Sequence, residues 1–316
     1  MAVMADLKMH MNRKVSYSPI AISMGIYTIR VIGDCNSNVS YELPEEAAQF
    51  LIDGTTDRSE WNLMYIITPR EDFSEPEDTP VAGFEEGPVP YRIYKEAEGN
   101  YLWIRKDKDK NNCLIYRISK NWSIWELLFD YSGGRSPDYF AELAYILPYA
   151  VLNKRGILFH GVVMEWNTIG IIVCAHSGVG KTTHTGMWKE SEGAHILNGD
   201  RALCFLEDNI WYTCGVPWNG SSMECLNRRT VLRVIVIIEQ SEINQVLHLS
   251  KRQGVLELIS LAFAPAWEPE LMNHAFDLID DITREISVLK LQCRPDMEAV
   301  ALLKHEIERQ EAYKKA

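Results

Sequence analysis

Residues 170–183 read GIIVCAHSGVGKTT, an apolar run that ends in glycines, a lysine and a pair of threonines. Between a strand and a helix, this spacing is that of a Walker A loop. Gly178 and Gly180 let the backbone turn successive amide hydrogens toward phosphate oxygens, and a helix starting near Lys181 adds the positive end of its dipole. The expected nucleotide-binding set is Ser177, Gly178, Val179, Gly180, Lys181, Thr182 and Thr183. Lys181 would reach the β and γ phosphates, the Thr182 hydroxyl would ligate Mg²⁺, and Thr183 would donate to an α phosphate. Ala175 replaces the glycine that usually opens the pattern. The implied ligands are ATP and Mg²⁺.

Phosphoryl chemistry also needs an acid to hold the metal or accept a proton. Asp200 closes AHILNGD one helical crossover after the loop, where a neighbouring strand end would lie beside the phosphates. Glu239 closes VLRVIVIIEQ in the manner of a Walker B strand. Each also reads as an ordinary acid at a strand-ending turn. His176 lies within the loop and His184, His195 and His248 show no metal-ligand spacing, so all are read as ordinary surface or core residues.

The elements that position these residues can be read from texture. From Tyr17 to about Gly134, short alternating runs such as YTIRVIG, YLWIRKD and CLIYRIS indicate period-2 strands. The acidic, Pro- and Gly-rich segment EDFSEPEDTPVAGFEEGPVP reads as a solvated loop. At SPDYFAELAYIL the pattern becomes helical, with Ser136 as N-cap and Pro137 at the first position. A domain boundary just before this helix divides the chain into a β-rich accessory unit, 1–134, and an α/β unit, 135–316. In the second unit apolar strands alternate with helices, and several strands follow one another through short turns, so a mixed sheet is expected. Helical patterns fall near 254–264, 268–286 and 295–313, with the strand VLKLQC between the last two. Trp122, Trp125 and Trp166 are read as core.

Composition narrows the partners. With 316 residues, of which 47% are hydrophobic, the chain can bury more than one core. A net charge of -12 opposes general affinity for nucleic acid or anionic lipid. The seven cysteines are scattered without a CxxC pair, which fits a reducing cytoplasm rather than a disulfide framework or structural zinc. No run approaches the ~20 apolar residues of a membrane span, and the N-terminal stretch lacks a signal-peptide core.

HGVVMEWNTIGIIVCAHSGVGKTT followed by LNGDRALCF resembles the catalytic domain of HPr kinase/phosphorylase and its HPr kinase-like relatives. That family shares a P-loop fold with phosphoenolpyruvate carboxykinases. The resemblance covers residues 155–206 and extends more loosely through CGVPWNGSS and IIEQSEINQVLHLS, where the segments look like those of kinase-like relatives found beside peptide-modification genes. Residues 1–130 do not resemble the N-terminal domain of true HPr kinases, and the family's later signature segment is absent.

The resemblance implies that Gly178, Gly180, Lys181 and Thr182 bind ATP and magnesium and that Asp200 acts as base or metal ligand. It places His160 near the reacting phosphate, with Glu165 as a secondary acid. Gly199 stands where the family carries a further acid beside Asp200, which leaves phosphoryl transfer, and its phosphorolytic reverse, resting on fewer carboxylates. Around CGVPWNGSS, a Gly-Asn turn, an exposed Trp218, Arg228 and Arg229 are expected, and one arginine would cover the transferring charge. The same segment also reads as a solvated surface loop. The expected activity is an ATP- and Mg-dependent kinase acting on a hydroxyl, of a serine in a peptide or small protein. The alternatives are a metabolite kinase and a non-catalytic nucleotide-binding module. Oligomerisation, as in HPr kinases, is open.

Overall fold

Runs of β-branched and aromatic residues punctuated by turns build a strand-dominated first half, and a longer strand-helix alternation builds the second. The computed structural model describes residues 13–15, 20–33, 41–43, 45–53, 62–67, 76–84, 90–106, 113–131 and 139–315. Ser136, Pro137, Cys35 and most of the N-terminal stretch lie outside the described residues. The chain divides into two compact units, Met1–Asn153 and Lys154–Ala316.

The first unit carries β1 (Arg13–Val15), β2 (Ile20–Met24), β3 (Tyr27–Gly33), β4 (Tyr41–Leu43), β5 (Leu51–Asp53) and β6 (Asn62–Ile67). These are followed by β7 (Ala82–Phe84), β8 (Tyr91–Lys95), β9 (Tyr101–Lys106), β10 (Cys113–Ile118), β11 (Ile124–Tyr131) and helix α1 (Tyr139–Leu152). β1 pairs with β4, and the others form a nine-stranded sheet in the order β5-β2-β3-β6-β11-β10-β9-β8-β7. Among the described residues of this sheet, only the pairings of β6 with β3 and β11 are parallel. The acidic segment read as a loop thus contributes an edge strand, β7.

The alternation in β9 survives, with both faces covered. Leu102 and Ile104 pack with Tyr94, Ile115 and Leu128. Trp103 stacks on Tyr149 of α1 at 5.7 Å between ring centroids, and Trp122 meets the same ring at 5.0 Å. These aromatic contacts hold α1 in the first unit, which ends at Asn153.

The second unit runs β12 (Gly156–Trp166), β13 (Ile169–Cys174), α2 (Lys181–Glu192), β14 (His195–Asn198), β15 (Arg201–Glu207), β16 (Ile210–Cys214) and β17 (Arg229–Gln240). It finishes with β18 (Gln245–His248), α3 (Lys251–Leu261), α4 (Pro269–Glu285), β19 (Ser287–Cys293) and α5 (Met297–Lys315). The sheet is mixed: β13, β17 and β19 are parallel neighbours, while β12, β15 and β16 run antiparallel in series. Because β13 also pairs with β17, the series β13-β12-β15-β16-β17 closes on itself.

Val162, Met164 and Trp166 of β12 join Ile171 and Val173 of β13, Trp188 of α2, and Leu303 and Ile307 of α5 in the main core. Burying such side chains stabilises the fold by roughly 1.5–3 kcal/mol each. Among the described residues, no helix is long and apolar enough to cross a membrane. The described cysteines are all free thiols.

Candidate functional site

Strand β13 delivers the loop. Its residues Ile171–Ala175 are buried, and the chain then turns outward at His176, Ser177 and Gly178. Gly178 has φ +81° and Gly180 φ +113°, and a Cβ at either would meet nothing within 4 Å. The glycines are therefore required by backbone conformation, which L residues rarely adopt, and not by crowding. The start of α2 carries no side-chain cap. Its first N–H groups are left to an external acceptor, which is the arrangement that suits a phosphate. Thr182 and Thr183 are exposed on that first turn.

Lys181 is the buried member of the loop, at 8% exposure. Lys181, His184, Thr185 and Trp188 are the buried residues of α2 and form its inward stripe at helical spacing. The Lys181 Nζ donates to the carbonyl of Ala175 at 2.8 Å and that of His176 at 3.4 Å, and lies 2.9 Å from His160 Nε2. His160 arrives by strand periodicity. It shares a face of β12 with Val162, Met164 and Trp166, the face that α2 covers.

His160 Nδ1 in turn lies 3.5 Å from Asp200 Oδ1. Burial first, and the Lys181 ammonium second, lower the imidazole's pKa, with Asp200 opposing them. A neutral ring that accepts from Lys181 at Nε2 carries its proton on Nδ1, facing the carboxylate. Burial lowers the pKa of Lys181 as well. Lys181, His160 and Asp200 thus form one polar chain leading from the glycine loop.

Asp200 does not end a strand adjacent to β13. β14 and β15 both pair antiparallel with β12, and Asp200 sits in the irregularity between them. The backbone of Gly161 donates to Asp200 O at 3.0 Å, and Arg201 Nε lies 3.8 Å from Asp200 Oδ2. The expected crossover geometry is replaced because β12 lies between the strand of the loop and that of the acid. Arg201 also lies over Phe263, whose ring meets His160 edge-on at 6.3 Å between centroids. Phe263 is held there by its N–H to Leu158 O at 2.9 Å, just beyond α3. Neither Arg201 nor Phe263 carries a sequence signal, since the contacts join segments far apart in the chain.

The other candidates fall elsewhere. Glu239 is engaged by Gln292 at 2.7 Å and Lys290 at 3.3 Å on β19, and these contacts lower its pKa. Its neighbour Gln240 reaches the loop instead, donating to Val179 O at 3.2 Å. Glu165 lies opposite His195 and Gly170, at the other end of β12 from His160, and pairs with Arg228 at 3.3 Å. Arg229 pairs with Glu207 and lies over Tyr212. Trp218, expected to be exposed, is 7% exposed.

At Gly199 any side chain would be crowded. A Cβ there would stand 1.9 Å from Ser222 Oγ and 2.5 Å from Ser222 Cβ. The space beside Asp200 is filled by the 3₁₀ turn Gly220–Ser222, and a Cβ on Gly220 would lie 2.8 Å from Asp200 Cγ. Among the described residues, no group of three or more His, Cys, Asp or Glu side chains is placed to hold a metal ion.

No family model and no curated protein matches the chain. Among solved structures, the HPr(Ser) kinase/phosphatase from Coxiella burnetii is similar with a TM-score of 0.31 and 8% identity, over 50% of this chain and 94% of that one.

Proposed function

We propose that the second unit is an ATP-dependent phosphotransferase that moves the γ-phosphoryl group to a hydroxyl, with a serine of a peptide or small protein as acceptor. The observation that carries this is the chain Lys181–His160–Asp200 leading from an uncapped, glycine-turned helix start to a carboxylate. The loop amides and Lys181 hold the β and γ phosphates, as such sites do. Asp200 takes the proton of the acceptor hydroxyl as the new P–O bond forms and the bond to the bridging oxygen breaks, releasing ADP. His160 holds its Nδ1 proton toward Asp200 and so orients the carboxylate.

Thr182 and Asp200 suit magnesium of the type that takes one or two protein oxygens and completes its shell with phosphates and water. Bound there, the ion would neutralise phosphate charge. The resemblance of residues 155–206 to the HPr kinase-like catalytic domain points the same way.

The test is transfer of label from γ-labelled ATP with Mg²⁺ to a serine-peptide library and a metabolite pool, beside Lys181→Met and Asp200→Asn. Labelled peptide that disappears in both variants is expected, and label confined to a small molecule would assign a metabolite kinase. A second reading is a nucleotide-binding module without turnover. It is favoured by Gly199, which leaves Asp200 without a partner acid, and tight ATP binding with no label in any acceptor would select it.

A further inference from the structure

We propose that Asn198 is a positioning residue for Asp200, holding the carboxylate through the backbone on one side and locking the Val216–Cys225 segment against it on the other. Asn198 is 0% exposed. Its Oδ1 accepts from the N–H of Asp200 at 2.9 Å and of Arg201 at 2.7 Å. This is an Asx turn that fixes the irregularity between β14 and β15. Its Nδ2 donates to Val216 O at 2.8 Å and Trp218 O at 3.1 Å.

Both ends of one side chain are thus spent on two segments that meet at Asp200. The second segment continues beside β14. Leu226 N–H bonds Leu197 O at 2.9 Å, Asn198 bridges Cys225, and Gly199 N–H bonds Glu224 O at 3.1 Å. Between its anchors at Trp218 and Glu224, that segment lays Gly220 on the Asp200 carboxyl.

Another side chain of similar volume cannot serve both sets, because two acceptors' worth of lone pairs and two N–H donors are needed at one buried point. Without Asn198, the N–H groups of Asp200 and Arg201 and two carbonyls lose partners together, and the irregularity relaxes. The phosphate loop is carried by β13 and α2 and shares none of these bonds.

This inference rests on the reading of Asp200 as proton acceptor, so its test needs a readout independent of turnover. That readout is amide hydrogen exchange, followed by NMR, at Asp200 and Arg201, whose N–H groups bond Asn198 Oδ1, and at Gly199, whose N–H bonds Glu224 O. Asn198→Ala speeds exchange at these amides while those of α2 keep their wild-type protection. In the same variant kcat for phosphoryl transfer falls ~10- to 100-fold, as expected when a reacting group is misplaced by about an ångström, and the KM for ATP keeps its wild-type value. Asn198→Thr, close in volume, is read the same way should the alanine variant not fold.

A folded variant with wild-type kcat and unchanged exchange at these amides overturns the proposal. So does a fall in thermal stability with kcat and ATP affinity lost together and exchange raised throughout the second unit, which is a purely structural role. If the wild-type protein transfers no phosphoryl group, the proposed activity fails and the local amide exchange alone decides the positioning role.

Discussion

Gly199 is the position where a single added carbon should cost most for a reason visible only in space. Its φ is not positive, so Gly199→Ala meets no backbone strain, and the whole penalty comes from Ser222. Ser222 cannot simply rotate away. Its Oγ donates to Asn219 O at 2.8 Å and accepts from Glu224 N at 3.3 Å. Neither backbone can retreat, because Gly199 N–H is bonded to Glu224 O at 3.1 Å.

Overpacking of this kind costs ~1–3 kcal/mol, and each hydrogen bond given up adds about 1 kcal/mol, so Gly199→Ala should destabilise by roughly 2–4 kcal/mol. Ser222→Gly alone should cost about 1–2 kcal/mol for its two hydrogen bonds. Combined with it, Gly199→Ala should cost almost nothing more, which is a coupling of about 2–4 kcal/mol. Equilibrium urea unfolding of the full chain across the four proteins, compared at unchanged m, measures it. Additive costs, or a neutral Gly199→Ala, would refute the reasoning. The same geometry requires that a second carboxylate, Gly199→Asp, be accommodated only together with Ser222→Gly.

Three further outcomes are expected. Burial pushes the His184 imidazole down to about 4, and its Nε2 accepts from Trp188 Nε1 at 3.1 Å. A pKa depressed in the fold means that the unfolded chain binds the proton first. The contribution is therefore full above the ordinary pKa of ~6.5 and falls by about 3 kcal/mol as pH drops toward 4; His184→Gln should flatten the stability-pH curve in that window, and a parallel curve would count against it.

Gly180→Ala has room for its methyl but must hold φ +113°, so strain of ~1–3 kcal/mol should weaken ATP binding about tenfold or more by calorimetry. Unchanged affinity would show that the loop tolerates another conformation. Glu239→Gln should leave phosphoryl transfer near wild type, because Lys290 and Gln292 already occupy that carboxylate, whereas Asp200→Asn should lower it by ~10²–10⁴ in the same assay. Equal losses would return Glu239 to the site.

The sequence alone determined what is local. SGVGKTT carries its own glycines, lysine and helix start, so the loop's form follows from residues adjacent in the chain. The period of β12 likewise places His160 on the face with Val162 and Met164, and the late helices and the strand between them follow from apolar spacing. Tertiary structure decided what depends on strand order and register. β12 intervenes between the strand of the loop and that of the acid, so Asp200 reaches Lys181 through His160. Glu239, the other strand-ending acid, is turned to β19. Trp218 is buried and Gly199 faces Ser222 because the segment after β16 folds back along β14, a pairing no local pattern encodes. α1 joins the first unit because Tyr149 finds Trp103 and Trp122 there. Backbone conformation is written in neighbouring residues, while the company a side chain keeps is set by contacts between segments far apart in the chain.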